Sequence, residues 1–260
     1  MPKIILVESD MRDAVRIFLQ HAPDKADILV SELLGSFGDN EVSPECLDPA
    51  QLMLKPDTGI SIPQNYTAWL CPTSSQKLFN ELRNNGNRKM TTDAQYETSY
   101  VVHMKNFTSV APAKLVWEFV HPNPQVYKDA VEVYDKQGKL VDITLPWKNR
   151  NQKFSTLKFK SIHDNISIHG FNGYFESVLY KNILMSTNPR THTVGMFSWF
   201  PIYFPLRPEH IMTDVKKGDD IEIAMWRRAN KTSVWYEYAI VQPRASRIHN
   251  FEGWVHKIGC

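Results

Sequence analysis

Hydrophobic and polar positions in the first sixty residues follow the periods of strands and helices in turn. The apolar, β-branched run Ile4–Val7 is typical of a buried parallel strand, and Met11–Leu19 has helical spacing. The pattern then predicts a strand over Ile28–Val30, a helix over Pro44–Leu54 and a short strand over Gly59–Ile62. This order of elements predicts an α/β fold.

From Tyr66 onward the pattern changes to period two, with turn residues between the apolar runs. One later segment, Ser74–Arg83, has helical spacing. The clearest hairpin joins DIEIAMWRR to SVWYEYAIV through a turn near Ala229–Thr232. Short strands at near-regular spacing predict an all-β barrel or sandwich. We therefore place a domain boundary near Pro63 and expect two domains, 1–63 and 64–260.

The segment Pro122–Ser161 is polar, with isolated aromatic residues among lysines. Long connections of this kind are either functional lids or surface loops. We favour a surface excursion over a lid.

Composition and charge exclude several classes of protein. The net charge is +2 and the basic residues are spread along the chain, which gives little support to a nucleic-acid surface. The three cysteines Cys46, Cys71 and Cys260 show no C-x-x-C spacing, which favours a reducing compartment and no metal site. No apolar run approaches the ~20 residues of a membrane span. We expect a soluble, intracellular protein.

The run SELLGSFGDNE, from Ser31 to Glu41, is the strongest chemical signal in the chain. Its two glutamates, Glu32 and Glu41, lie nine positions apart on a loop bent by Gly35 and Gly38. Glu32 would emerge at the carboxyl end of a strand, where open α/β sheets bind ligands. Two carboxylates so held suit a planar guanidinium, whose fork of donors pairs with them. The alternative is two solvated loop acids.

The sequence SPECL that follows predicts the start of a helix. Ser43 is the expected N-cap, and Pro44 the first helical residue. Glu45 would then face the positive end of the helix dipole, where its charge has a small stabilising effect.

SELLGSFGDNEVSPECLD resembles the double-glutamate loop of the protein arginine methyltransferases. FSWFP, at 197–201, is similar to the barrel loop of the symmetric (type II) branch, where the asymmetric branch typically has Thr-His-Trp. SDMR, SIPQNYTA, GFNGYFE and VWYEYA match that branch in order. Together the motifs cover nearly the whole chain. The resemblance implies a partial Rossmann-like methyltransferase domain followed by a β-barrel domain.

The resemblance also implies roles for seven residues. Glu32 and Glu41 would hold the substrate guanidinium, and Trp199 would lie over its face. Ser198 and Phe200 would offer backbone groups to the substrate peptide. The remaining two, Asp10 and Met11, resemble the pair that binds the adenine of S-adenosyl-L-methionine. Read without the resemblance, Asp10 would be a helix N-cap and Trp199 a core residue.

No glycine-rich turn follows a first strand, although pockets for this cofactor normally open with one. By resemblance, the chain begins after the family's glycine motif and lacks the amino-terminal TIM barrel that docks a WD-repeat partner. We expect the carboxyl-terminal part of a longer enzyme, or a truncated gene model, that is inactive alone.

The implied activity is symmetric dimethylation of arginines in histones, Gly/Arg-rich proteins and splicing proteins, in the cytoplasm and nucleus. The enzyme is expected to form homo-oligomers, with no nucleic-acid or membrane partner. The rival interpretation is a non-catalytic β-barrel module that oligomerises or binds arginine-rich peptides.

Overall fold

The computed structural model describes residues 4–22, 24–85 and 93–259. Its first part contains two helices, α1 (Val15–His21) and α2 (Ser43–Ala50). Two strands, β1 (Ile28–Val30) and β2 (Ile60–Ile62), pair in parallel. This arrangement agrees with the α/β order that the sequence predicts.

Two details of the first part differ from the prediction. Ile4–Val7 is not a strand, and Ile4 and Leu6 are 93% and 91% exposed. A strand needs a hydrogen-bonding neighbour, and no described strand pairs with this run. Ser43 is not the N-cap but the first residue of α2. The cap is Val42, in the left-handed region at φ 54°.

The second part of the chain, from Asn65 onward, is built mainly from strands. Its helices are α3 (Gln76–Asn85) and α4 (Pro124–Asp129). The strands are β3 (Asn65–Ser74), β4 (Tyr100–Val101), β5 (Thr108–Ser109), β6 (Lys114–Val120), β7 (Val131–Tyr134), β8 (Leu140–Thr144), β9 (Lys153–Lys160), β10 (Ile166–Ile168), β11 (Gly170–Tyr180), β12 (Ile183–Ser186), β13 (Ile202–Pro205), β14 (Met212–Val215), β15 (Asp220–Ala229), β16 (Ser233–Gln242) and β17 (Ile258–Gly259).

The described strands of the second part form two main antiparallel sheets instead of one closed barrel. The larger sheet has the order β4-β13-β11-β3-β5, with β12 beside β11 and β6 beside β3. The smaller has the order β17-β16-β15-β9. Its central pair is the predicted hairpin. One apolar core, which includes Phe171, Phe204, Ile223 and Tyr236, joins side chains of both sheets.

The segment Pro122–Ser161 does not loop freely over the surface. Its residues Val126 and Ile143 are buried with Val15, Leu19 and Leu52 in a second, smaller core. The prediction of a surface excursion is therefore wrong at Val126 and Ile143, because these apolar side chains pack against the α/β part of the chain.

Among the described residues, no helix combines the length and the apolar character that crossing a membrane requires. The thiols of Cys46 and Cys71 are free, and Cys260 lies outside the described residues.

Candidate active site

The double-glutamate loop, residues 31–42, joins the end of β1 to the start of α2. Its middle is a tight turn in which the amide of Gly38 donates to the carbonyl of Gly35 over 2.8 Å. Gly38 has φ +83°, which other residues adopt at a cost. A Cβ on Gly35 would lie 2.3 Å from Oδ1 of Asn40. The two glycines predicted to bend the loop are thus required by its geometry.

Glu32 and Glu41 lie at the two ends of this loop, and both are exposed. Oε1 of Glu32 accepts from the amide of Leu34 at 3.4 Å. Partial burial raises the pKa of the Glu41 carboxyl, and the negative charge of Glu32 raises it further. The negative charge of Glu32 thus acts on the Glu41 carboxyl across the loop.

The middle of the loop is inserted into the core of the second part. Phe37 is fully buried and makes edge-on contacts with Trp117, Phe204 and Tyr236, at centroid distances of 5.7, 5.3 and 5.6 Å. Its amide donates to Oδ1 of Asn40 at 2.6 Å. Aromatic pairs in this geometry add to the free energy of burial. The exposed glutamates thus stand on a rigidly anchored loop.

Sequence reasoning missed the charged cluster beneath the loop. Asp39 is fully buried, and its carboxylate accepts hydrogen bonds from Nε1 of Trp117 at 3.0 Å, from Oη of Tyr236 at 2.8 Å and from Nε of Arg227. Burial alone would lower the pKa of Arg227, but the charges of Asp39 and Glu45 outweigh it and raise that pKa well above its ordinary value. The cluster is a permanent ion pair inside the core.

Glu45 belongs to this cluster, so its predicted interaction with the helix dipole is only part of its environment. Each of its carboxylate oxygens accepts from one terminal nitrogen of Arg227 at 2.8 Å. It lies in the first turn of α2, as expected, but a bidentate pair with a buried arginine outweighs the small effect of the helix dipole. The sequence of β15 indicates a buried partner for Arg227, because side chains alternate between the two faces of a strand and Arg227 lies on the inward face with Ile223 and Met225.

The segment that contains Ser198, Trp199 and Phe200 precedes β13. Nε1 of Trp199 donates to the carbonyl of Leu34, so the structure brings this indole to the double-glutamate loop. The ring is partly buried, with Phe175 edge-on at 6.3 Å. Phe200 stacks obliquely on His103 at 5.0 Å, while Ser198 is exposed.

Asp10 is exposed, and its carboxylate holds Arg12 with Nε at 2.9 Å and Nη2 at 2.7 Å. This pairing and a bond from the Arg12 amide lower the pKa of Asp10 to about 2. Burial raises the pKa of the Cys46 thiol. Arg12 and Glu45, in the first turn of α2, line the same cavity. Met11 lines a mainly apolar cavity of about 340 Å³.

A separate cavity of about 520 Å³ lies between α1, α2, β8 and the β15–β16 turn. Asp48 lines it and is almost fully buried. Oδ2 of Asp48 accepts from Nδ2 of Asn151 at 3.1 Å, whereas Oδ1 is buried without a hydrogen-bond partner. Burial raises the pKa of Asp48 to about 7. Neither Glu32 nor Glu41 lines this cavity.

Within the described ranges, no group of three or more histidine, cysteine, aspartate or glutamate side chains could hold a metal ion.

Two family models together match most of the chain. Residues 2–62 match the family model described as PRMT5 arginine-N-methyltransferase, and residues 65–258 match the one described as PRMT5 oligomerisation domain.

Among curated relatives, protein arginine N-methyltransferase 5 of Xenopus laevis is 42% identical over 257 residues, which are 99% of this chain and 36% of the relative. Protein arginine N-methyltransferase skb1 of Schizosaccharomyces pombe is 37% identical over 271 residues, covering 96% of this chain and 38% of the relative. The chain thus spans a little over a third of the length of these relatives.

Solved structures show the same fold at low sequence identity. The chain resembles the Trypanosoma brucei PRMT1 enzyme–prozyme heterotetrameric complex with AdoHcy, with a TM-score of 0.62, 12% identity and coverage of 85% of this chain and 66% of that one. It also resembles Arabidopsis thaliana protein arginine methyltransferase 10, with a TM-score of 0.54, 13% identity and coverage of 85% and 68%. The α/β part is therefore Rossmann-like, of the methyltransferase type. With matched models over most of its length and relatives above 40% identity, the chain belongs to the protein arginine N-methyltransferase 5 family.

Proposed function

We propose that this chain forms the carboxyl-terminal catalytic part of a type II enzyme that transfers methyl groups from S-adenosyl-L-methionine to arginine side chains, giving symmetric dimethylarginine. The observation that carries the proposal is the double-glutamate loop. Its carboxylates, Glu32 and Glu41, are both exposed at the ends of a loop whose centre, at Phe37 and Asp39, is buried in the core.

The chemistry of arginine explains why two acids are needed. A free guanidinium, with a pKa above about 12, is a poor nucleophile. Glu32 and Glu41 would hold it by paired hydrogen bonds and aim the reacting nitrogen at the methyl group. Orientation of this kind is worth ~7–11 kcal/mol of the barrier. Because burial raises its pKa, the Glu41 carboxylate is suited to accept the departing proton.

Trp199 supports the same site. Its bond to Leu34 holds the indole against the double-glutamate loop, where a cation–π contact with the guanidinium contributes about 0.5–2 kcal/mol. Ser198 and Phe200, which flank it, would bind the substrate peptide through their backbone groups. Phe197-Ser198-Trp199 stands where Thr-His-Trp is typical of the asymmetric branch, which supports symmetric product. The two sheets, which share one core without closing into a barrel among the described strands, would bind the substrate protein.

The described residues fit one end of the methyl donor. Met11 lines a mainly apolar cavity that could receive part of the adenine ring. Asp10 does not line this cavity, but Oδ2 of Asp10, which accepts from Nη2 of Arg12, retains a further acceptor position for the adenine amino group. When bound, this cofactor supplies an electrophilic methyl group. The residues of this chain orient the nucleophile and remove its proton.

Substrates and partners follow from the family. We propose histones, Gly/Arg-rich proteins and splicing proteins as substrates, in the cytoplasm and nucleus. Homo-oligomers would form through the second part, whose matched family model is described as an oligomerisation domain. A WD-repeat partner would bind only the full-length enzyme, through its amino-terminal domain.

The test is methyl transfer from labelled S-adenosyl-L-methionine to a Gly/Arg peptide by the complete natural protein that contains this sequence. Glu32→Gln and Glu41→Gln should each keep the fold and lower turnover at least about a hundredfold, the scale of losing one electrostatic or proton-transfer group. Glu81→Gln, on the exposed face of α3, is the matched control and should retain full turnover. Near-full turnover by either loop variant would refute its role.

The second candidate function is a non-catalytic module that self-associates or binds arginine-rich peptides. The oligomerisation model matched by residues 65–258 favours it. It predicts peptide binding without transfer in the same assay.

A further inference from the structure

Asp39 occupies the buried centre of the double-glutamate loop, two positions before Glu41. All three side-chain donors to its carboxylate come from the second part of the chain: Trp117 on β6, Arg227 on β15 and Tyr236 on β16. Residues outside the loop therefore fix its position, at a point between Glu32 and Glu41.

Arg227 holds the chain on both sides of Glu41. Its Nε donates to Asp39, before Glu41, and its two terminal nitrogens donate to Glu45, four residues after Glu41. Nη1 also donates to the carbonyl of Asn151 at 3.0 Å. A guanidinium is planar and rigid, so these bonds fix the relative position of Asp39 and Glu45. The backbone that carries Glu41 is clamped between them.

The burial of this cluster is notable because ions in a core are costly. Arg227 and Asp39 are both 0% exposed. Replacing such pairs by apolar side chains is often neutral or stabilising, so stability alone does not account for a buried ion cluster. A cluster that fixes the geometry of the loop has a use that an apolar core would lack, because apolar contacts are not directional.

We propose that Asp39 and Arg227, with Tyr236, are positioning residues that set the placement of Glu41 relative to Glu32 for methyl transfer. This inference rests on the proposed function. All three side chains are buried, so they would act on the substrate only through the loop. A small displacement of the reacting groups costs a large factor in rate, so loosening the clamp should lower turnover more than it lowers substrate binding.

Two tyrosines of β16 make a matched pair for the test. Tyr236 and Tyr238 are buried, lie on the same face of the strand, and each donates one short hydrogen bond. The Tyr236 hydroxyl donates to Asp39 at 2.8 Å, whereas that of Tyr238 donates to the carbonyl of Pro205 at 2.7 Å. Substitution of either by phenylalanine removes one buried hydrogen bond and keeps the ring.

The experiment measures kcat, KM for the Gly/Arg peptide and for S-adenosyl-L-methionine, and the thermal unfolding midpoint of the complete natural protein. Tyr236→Phe and Tyr238→Phe should both lower the midpoint, Tyr236→Phe by more, because its hydrogen bond to a carboxylate is stronger than one to a carbonyl. Tyr236→Phe should also lower kcat about tenfold with both KM values within twofold, whereas Tyr238→Phe should leave kcat unchanged. Asp39→Asn, which turns an amide toward three donors, should lower kcat at least a hundredfold.

The outcomes distinguish a failure of this inference from a failure of the proposed function. Equal kcat values in the two tyrosine variants would show that the cluster only stabilises the fold and would overturn this inference alone. An active wild-type protein in which Glu32→Gln and Glu41→Gln keep full turnover would refute the roles of the loop acids. A wild-type protein without transferase activity would overturn the proposed function and this inference together.

Discussion

Asp48 should make the stability of this protein depend on pH in a direction opposite to that of most carboxylates. Its side chain is buried on α2, and one of its oxygens has no hydrogen-bond partner. Burial penalises the charged form and raises the pKa from 3.8 to about 7. The perturbation is Asp48→Asn, which keeps the shape of the neutral acid and cannot ionise.

The sign and size follow from proton linkage. Between pH 4 and 7 the folded protein keeps the proton on Asp48, whereas the unfolded chain releases it, so stability falls as pH rises. The loss is up to about 1.4 kcal/mol per pH unit, and about 4 kcal/mol over the three units of the shift. Below about pH 4 and above about pH 7 the contribution of Asp48 is flat, because both states hold or lack the proton.

Urea unfolding of the wild type and of Asp48→Asn, at half-unit steps from pH 4.5 to 8, measures this effect. The free energy of unfolding of Asp48→Asn, relative to that of the wild type, should rise steadily as pH rises to about 7 and should not rise further above that pH. Asp57→Asn supplies the control, because it removes an exposed carboxylate on a turn and should show no such trend. A free-energy difference between wild type and Asp48→Asn that does not change with pH would refute the buried, protonated state of Asp48.

Two further outcomes are expected. Glu45→Gln should lower the free energy of unfolding, measured by urea titration, by about 2 kcal/mol. This is less than the roughly 3–5 kcal/mol lost when an isolated buried pair is broken, because Asp39 still pairs with Arg227. A loss of only a few tenths of a kcal/mol would favour the helix-dipole interpretation. The complete protein should produce symmetric dimethylarginine, as Phe197-Ser198-Trp199 implies. Mass spectrometry of methylated Gly/Arg peptides distinguishes the two isomers by their neutral losses. A predominance of the asymmetric isomer would disprove the branch assignment.

Local patterns in the sequence were sufficient for the elements whose partners are close along the chain. The hairpin of β15 and β16 has a three-residue turn, and its alternation alone predicts both strands. The same type of pattern fails at Ile4–Val7, because an apolar run becomes a strand only beside another strand. Helix α2 was predicted within one residue at its start, although its cap residue was not.

The acids of the candidate site can be predicted from the sequence, whereas the contacts that hold the loop cannot. The motifs predict Glu32, Glu41 and Trp199 as site residues, and the structure brings Trp199 to the loop that carries both acids. The bonds of Arg227 to Asp39 and Glu45 join residues 188 and 182 positions apart, and no local pattern reports such a pair. An arginine on the inward face of β15 shows only that some buried acid must exist.

The long separation between Asp39 and Arg227 has a consequence for synthesis on the ribosome. At roughly 5–20 residues per second, about 10–40 s pass between the translation of the aspartate and that of the arginine 188 positions later. During that time the nascent loop lacks the hairpin that fixes it. Closing so long a loop is also entropically costly, which places it late in folding. The two acids therefore take up their final geometry only after β15 and β16 have been made, and a nascent chain interrupted before β15 would carry both glutamates without a formed site.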